Sequence, residues 1–342
     1  MLKTIFVVDD NDTNLTVAEN VLEKHHRVIT MSSAARMFVL LEKFKPDLIL
    51  LDIKMPGMDG LEALRRLKSN ASYMDVPVMF LTGVSDTSAE AAYGFELGAV
   101  DFVTKPFSPP VLLNRIQTHL DIDELIRERT ARLWKMKTGI ISVMAELVES
   151  RDNVTGGHVE RTTKYVRLLI DTLLERGLHT EIIQSWDIDM VVSSSRLHDI
   201  GKIAVSDLIL NKPGKLTAEE FEAIKRHTTE GERIIEQMAA ETDEEAFFYN
   251  ARIFAGFHHE RWDGGGYPHG TKGEETPLQG RIMAIADVYD ALISERPYKK
   301  AFPPEEAERI IMESAGKHFD PVIADLFYEM RGQFRNIGGD ES

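Results

Sequence analysis

The sequence predicts a chain in two parts: an α/β half on a doubly wound parallel sheet, then a long helix leading into an all-α half. Three observations predict this. Over residues 1 to about 120, strand-like apolar runs alternate with helical patterns, the arrangement of a parallel sheet covered by helices on both faces. After Pro109-Pro110 no Gly or Pro occurs until Gly139. From about residue 145 onward only helical periodicity is convincing. At 342 residues the chain is too long for one ordinary core, and 43% hydrophobic with 28% charged residues suits globular domains.

In the first half the strand candidates are Thr4–Val8, Asp47–Leu51, Val76–Leu81 and Asp101–Val103, with helices at Leu61–Lys68 and Ala89–Leu97. Sheets of this kind place function at the carboxyl ends of their strands. Asp9 and Asp10 follow the first strand, Asp52 the third, Thr82 the fourth and Lys105 the fifth. Converging carboxylates repel one another, and oxygen-only ligands favour magnesium as the remedy. Lys105 can neutralise a phosphoryl oxygen, Thr82 can hydrogen-bond one, and Asp52 is placed as a nucleophile.

This set, with Lys54-Met55-Pro56-Gly57-Met58-Asp59-Gly60 and Lys105-Pro106-Phe107, resembles the receiver domain of two-component response regulators. The resemblance implies a flavodoxin-like five-stranded sheet, phosphorylation of Asp52, and a cis Lys105–Pro106 bond. It also implies magnesium on Asp9, Asp10, Asp52 and the Lys54 backbone, and a switch formed by Thr82, Phe102 and Lys105. The implied partner is a sensor histidine kinase.

The connector, residues 121–145, carries Leu112, Ile116, Ile126, Leu133, Ile140, Met144 and Leu147 on a broken 4/3 spacing that begins before it and ends beyond it. About 28 residues of helix would extend some 40 Å. The seam reads either as an ordinary core face or as a parallel coiled coil, and the coiled coil, hence a homodimer, is preferred.

The second half, 146–342, is expected to carry helices at Ile140–Glu149 (entering from the connector), His158–Glu175, Ser193–His198, Ala218–Met238 and Arg281–Leu292. Its chemistry lies in His198-Asp199-Ile200-Gly201-Lys202, in His258-His259 followed by Gly264-Gly265-Gly266-Tyr267-Pro268, and in Asp287. Mixed imidazole and carboxylate ligands suit iron, manganese or zinc, and several together suit a cluster for phosphodiester chemistry. The pairing of these motifs resembles the HD-GYP family of cyclic-di-GMP phosphodiesterases over roughly residues 145–335.

That resemblance implies a two-metal centre, iron or manganese, built from His198, Asp199, His227, His258, His259 and Asp287, with Asp199 as the bridge. Lys202 would hold a phosphate oxygen or orient the attacking hydroxide. Asp290, Arg296, Lys299, Gly265 and Tyr267 match substrate-binding positions. His158 matches a further ligand, but where three-metal members carry a Glu four residues earlier, this chain has Val154. A two-metal centre with His158 marginal is therefore expected, with linear pGpG accumulating rather than GMP. Asp152 is expected to point elsewhere.

A net charge of −16 argues against binding nucleic-acid backbones, and no apolar run is long enough to span a bilayer. The absence of cysteine excludes thiolate sites and fits a cytoplasmic protein. The expectation is a response regulator hydrolysing cyclic di-GMP under control of Asp52. Two rivals stand beside it: a metal-keeping receptor or docking domain without catalysis, and a nucleotide phosphohydrolase of the wider HD superfamily, against which the Gly264–Pro268 segment argues.

Overall fold

The computed structural model describes residues 2–70, 72–83, 88–152, 156–295 and 300–339. It comprises two compact units, Met1–Leu133 and Trp134–Ser342, dividing inside the connector.

The first unit alternates strand and helix: β1 Thr4–Val8, α1 Asp12–Leu22, β2 Arg27–Met31, α2 Ala34–Leu41, β3 Leu48–Asp52, α3 Gly60–Lys68, β4 Val78–Thr82, α4 Ser88–Glu96 and β5 Asp101–Thr104. The order is β2-β1-β3-β4-β5, and every pairing is parallel. The central strands β3 and β4 are buried throughout because helices cover both faces, which is why they read as continuous apolar runs. β2, which no sequence run marked, is an edge strand with one side half exposed, so its pattern is polar-diluted. The expected boundaries of α3 and α4 hold to within one residue.

α5 runs 41 residues, Pro109–Glu149, straight through Gly139. Its N-terminal apolar residues Leu112, Ile116 and Leu120 are buried in the core of the first unit with Val103 and Phe107. They therefore do not belong to an exposed seam, contrary to the reading that grouped Leu112 and Ile116 with it. Near its C-terminus Ile141 and Val148 enter a core of the second unit with Leu197, Ile200 and Phe247.

The second unit is helical: α6 His158–Glu175, α7 Thr180–Ile183, α8 Ile188–Ser194, α9 Asp207–Leu210, α10 Ala218–Ala240, α11 Glu245–Phe257, α12 Leu278–Ile293, α13 Pro304–Glu313, α14 Pro321–Glu329 and α15 Arg331–Gly339. The run expected as one helix over Ser193–His198 is instead the end of α8 followed by a 3-10 turn, Ser195–Leu197. A second 3-10 turn, Ile200–Ala204, carries the residues after Asp199. α10 opens on a capping box, Thr217 with Glu220, which fixes where the helix starts and so where His227 falls along it. α6 and α12 share the largest core, in which Tyr165, Tyr289, Phe327 and Phe334 are mutually packed.

Candidate active sites

The first unit gathers its polar residues where the sheet order reverses, between β1 and β3. Asp9 and Asp52 are buried there, and Asp9, Asp10 and Asp52 place oxygens within 4.8 Å of one another. Lys105 Nζ donates to Asp52 Oδ1 at 2.7 Å and to Asp9 Oδ2 at 3.1 Å. Burial raises the Asp52 pKa, and Asp9 and Asp10 add to the rise against the opposing Lys105. A divalent cation would relieve this crowding, so the donor set fits magnesium. Asn14, which the sequence reading missed, donates its amide to both oxygens of Asp9 at 3.0 Å and orients that carboxylate. Thr82 is buried at the end of β4, Phe102 meets Phe95 edge-on, and Lys105–Pro106 is cis.

In the second unit the five expected histidines converge. His198 Nδ1 faces the Ser195 carbonyl at 3.1 Å, His227 Nδ1 the Ile224 carbonyl at 2.7 Å, and His258 Nδ1 the Phe254 carbonyl at 2.9 Å. A carbonyl only accepts, so each Nδ1 carries the proton and each Nε2 keeps its lone pair. Those lone pairs point at one another: His227 and His258 Nε2 lie 3.2 Å apart, and His158 and His198 Nε2 lie 3.4 Å apart. His259 packs on His258 with ring centroids 4.0 Å apart and shares a ligand group with His227 and His258. Burial lowers the pKa of His198 and His227 to about 4 and that of His259 well below the usual value, so these rings are neutral donors.

Asp199 stands between the two halves of the cluster. Its Oδ1 is 3.4 Å from His227 Nε2 and 3.6 Å from His258 Nε2, while its Oδ2 is 3.5 Å from His198 Nε2. Oδ1 is buried without a hydrogen-bond partner among the described residues. An orphaned carboxylate oxygen ringed by imidazole lone pairs fits divalent cations on either side of Asp199. Burial opposes its charge, yet Lys202 and the histidines hold its pKa well below the ordinary carboxylate value.

Close backbone contact makes this convergence. A Cβ on Gly201 would lie 1.9 Å from the His227 carbonyl oxygen, so only glycine lets the 3-10 turn after Asp199 press onto α10. Gly266 is equally confined, with a Cβ there meeting the Arg261 nitrogen at 2.4 Å. Glu260, missed in the sequence, is buried and accepts from the amides of His269, Gly270 and Thr271, fixing the loop that brings Tyr267 to within 4.9 Å of the His259 ring. Gly265 is exposed, its amide capped by Asp263.

Three expectations need correction. Asp290, expected at the substrate, is fully buried; it accepts from His158 Nδ1 at 2.8 Å and pairs bidentately with Arg161 at 2.7 and 2.9 Å. It orients His158 in the manner of a carboxylate–histidine–metal triad. Asp152 does point away from His158, but toward the site: it accepts from Lys202 Nζ at 2.8 Å, opposite the 2.8 Å contact of Lys202 with Asp199. His158 does not lack a carboxylate. Its Nε2 lies 3.5 Å from Asp287 Oδ1 and 3.8 Å from Glu149 Oε1. Burial opposes a charge on His158, but Asp290, Glu149 and Asp287 raise its pKa to about 9. Arg296, Lys299 and Val154 lie outside the described residues.

The missed Arg161 had a signal, since it follows His158 by one helical turn on the same face. Asp152 had none, because the turn Ser150–Asp152 after α5 carries no periodicity, and Glu149, the last residue of α5, reads in sequence as an ordinary charged helix end.

Comparison with known proteins agrees with both sites. Residues 5–117 match the response regulator receiver domain and residues 142–323 match the HD domain. A Vibrio cholerae protein named "Probable cyclic di-GMP phosphodiesterase" is 39% identical over 98% of this chain and 79% of its own. The cyclic di-GMP phosphodiesterase response regulator RpfG of Xanthomonas campestris is 34% identical over 99% and 90%. A cyclic di-GMP phosphodiesterase of Thermotoga maritima is 31% identical over 98% and 92%. A receiver fold with a carboxylate pocket, a clustered set of histidines and relatives matched along nearly the whole length agree: the chain belongs to the two-component response regulators that join a receiver domain to an HD-type cyclic-di-GMP phosphodiesterase domain.

Proposed function

We propose that this chain hydrolyses cyclic di-GMP to linear pGpG at a two-metal centre, under control of phosphorylation at Asp52. The observation that carries the reading is Asp199, whose two oxygens face separate imidazole groups and one of which has no other partner. Iron or manganese held by His198, Asp199, His227, His258, His259 and Asp287 would supply Lewis acidity and a hydroxide at neutral pH. Lys202, fixed between Asp199 and Asp152, holds positive charge where a phosphate would approach. Arg151 pins the turn that carries Lys202 by donating to the Ile203 and Val205 carbonyls at 2.9 and 3.0 Å. Tyr267, with Phe221 and Lys225 beside its ring, offers a stacking surface for a nucleobase. Because every described ligand position is filled by a ligand-type side chain, hydrolysis is favoured over a purely receptor role.

In the receiver, magnesium on Asp9, Asp10, Asp52 and the Lys54 backbone would accompany phosphoryl transfer from a sensor histidine kinase to Asp52. A homodimer through α5 completes the reading. Leu133, Met136, Ile140, Val143 and Leu147 are more than half exposed and follow each other at alternating spacings of three and four, the spacing of a coiled-coil seam. Among the described residues no helix is long and apolar enough to cross a membrane. Incubation of the metal-loaded chain with cyclic di-GMP, with products resolved by chromatography, tests the activity; intact substrate at saturating metal would reject it.

A further inference from the structure

We propose that Arg151 is a positioning residue for the reaction, through which the end of α5 sets Lys202 in the active site. The role rests on the hydrolase reading above, with Lys202 as the side chain that meets the phosphate or the attacking hydroxide. Arg151 stands in the 3-10 turn Ser150–Asp152 that directly follows α5. Its guanidinium reaches the far end of the second 3-10 turn, Ile200–Ala204. Nη1 donates to the Ile203 carbonyl at 2.9 Å and to that of Lys202 itself at 3.3 Å, and Nη2 donates to the Val205 carbonyl at 3.0 Å. Nε and Nη2 also donate to Asp207 Oδ1, at 3.1 and 2.8 Å. Asn211 closes the arrangement by donating to the Arg151 carbonyl at 2.7 Å. The last carbonyls of a helical turn have no partner inside it, and a planar fork of fixed donors can hold several of them at once.

The turn held in this way carries Lys202, and the residue after Arg151 holds the other end of that side chain. Asp152 accepts from Lys202 Nζ at 2.8 Å, opposite the 2.8 Å contact with Asp199. Two consecutive residues therefore grip Lys202 twice, Arg151 through its backbone and Asp152 through its ammonium. The hydrogen bonds of a 3-10 turn are poorer in geometry than those of an α-helix, so an external fork has much to add to its rigidity. α5 itself is anchored close by, because Ile141 and Val148 pack with Leu197 and Ile200, the residues that flank His198-Asp199. The grip on Lys202 is thus referred to the same core that carries the His-Asp pair. Loss of the fork should spare both the fold and the metals. Ile203 and Asp207 are exposed, so water can replace the lost donors there, and the ligand histidines are oriented by other carbonyls.

The test is a double-mutant cycle on the full-length, manganese-loaded protein with cyclic di-GMP. It reads kcat, KM and metal content for wild type, Arg151→Ala, Lys202→Ala and the double variant. Arg151→Ala should keep its metal and its KM while kcat falls about tenfold, as for loss of an outer-shell partner. In the Lys202→Ala background the same change should cost nothing further, because Arg151 acts only through Lys202. Arg151→Lys keeps the charge but not the fork, so it should stay as slow as Arg151→Ala. The positioning role is overturned if Arg151→Ala turns over like wild type, or if the two losses multiply in the double variant. It is overturned as well if Arg151→Lys recovers wild-type turnover, which would make Arg151 a charge that draws in the substrate. Loss of metal from Arg151→Ala would also overturn it and make Arg151 structural. Failure of the hydrolase reading would show differently, as cyclic di-GMP left intact by fully metallated wild type, and would remove this role with it.

Discussion

At the scale of single residues, the site depends on which atom of each side chain is left over. Backbone carbonyls engage Nδ1 of His198, His227 and His258, and Asp290 engages that of His158, so all four Nε2 atoms face inward. Asp199→Ala should therefore abolish both metal retention and hydrolysis, because it removes the group between the two imidazole sets. Lys202→Ala should keep its metal while turnover falls by about 10–100-fold, the usual effect of losing an outer-shell partner. Elemental analysis beside kinetics separates the two, and an active, metal-free Asp199 variant would defeat the assignment. Arg161→Ala should destabilise the protein by about 3–5 kcal/mol, since it leaves the buried Asp290 carboxylate without its guanidinium. A thermal melt unchanged from wild type would contradict that.

At the scale of elements, close packing sets the geometry. Gly201→Ala drives a methyl into the His227 carbonyl, so the turn must lift from α10 and separate Asp199 from His227. Metal content and melting temperature should both fall; an unchanged metal content would show that the contact is slack. The seam on α5 makes a second prediction. Ile140→Glu should convert a dimer to a monomer by light scattering, and a wild-type monomer would remove the coiled coil from the account.

This scale also shows what the sequence could and could not reveal. The buried strands β3 and β4 and the clustered His198, His258 and His259 were legible, because continuous apolar runs and His-Asp and His-His pairs are local patterns. β2 was not, because an edge strand half open to solvent loses its apolar signature. Leu112 and Ile116 shared a spacing with the exposed seam but lie in a core, since periodicity marks a helix face without saying what covers it. Asp152 was illegible as a site residue because the turn Ser150–Asp152, not any repeat, delivers it, and Glu149 because a carboxylate at a helix end carries no pattern of its own.

For the whole molecule, the chain joins a receiver domain with a carboxylate cluster to an HD domain with a histidine cluster within one family architecture. A net charge of −16 means that an anionic substrate must be drawn by the cations of the site rather than by the protein at large. Beryllofluoride with magnesium should bind wild type and not Asp52→Asn, as read by intrinsic fluorescence or calorimetry; equal binding would displace Asp52 as phosphoacceptor. The central claim is hydrolysis of cyclic di-GMP at the Asp199 centre. Its most direct test is chromatography of the products formed by manganese- or iron-loaded wild type and by Asp199→Ala. The account predicts pGpG from wild type and intact substrate from the variant; unchanged cyclic di-GMP with fully metallated wild type, or equal product from both proteins, would contradict it.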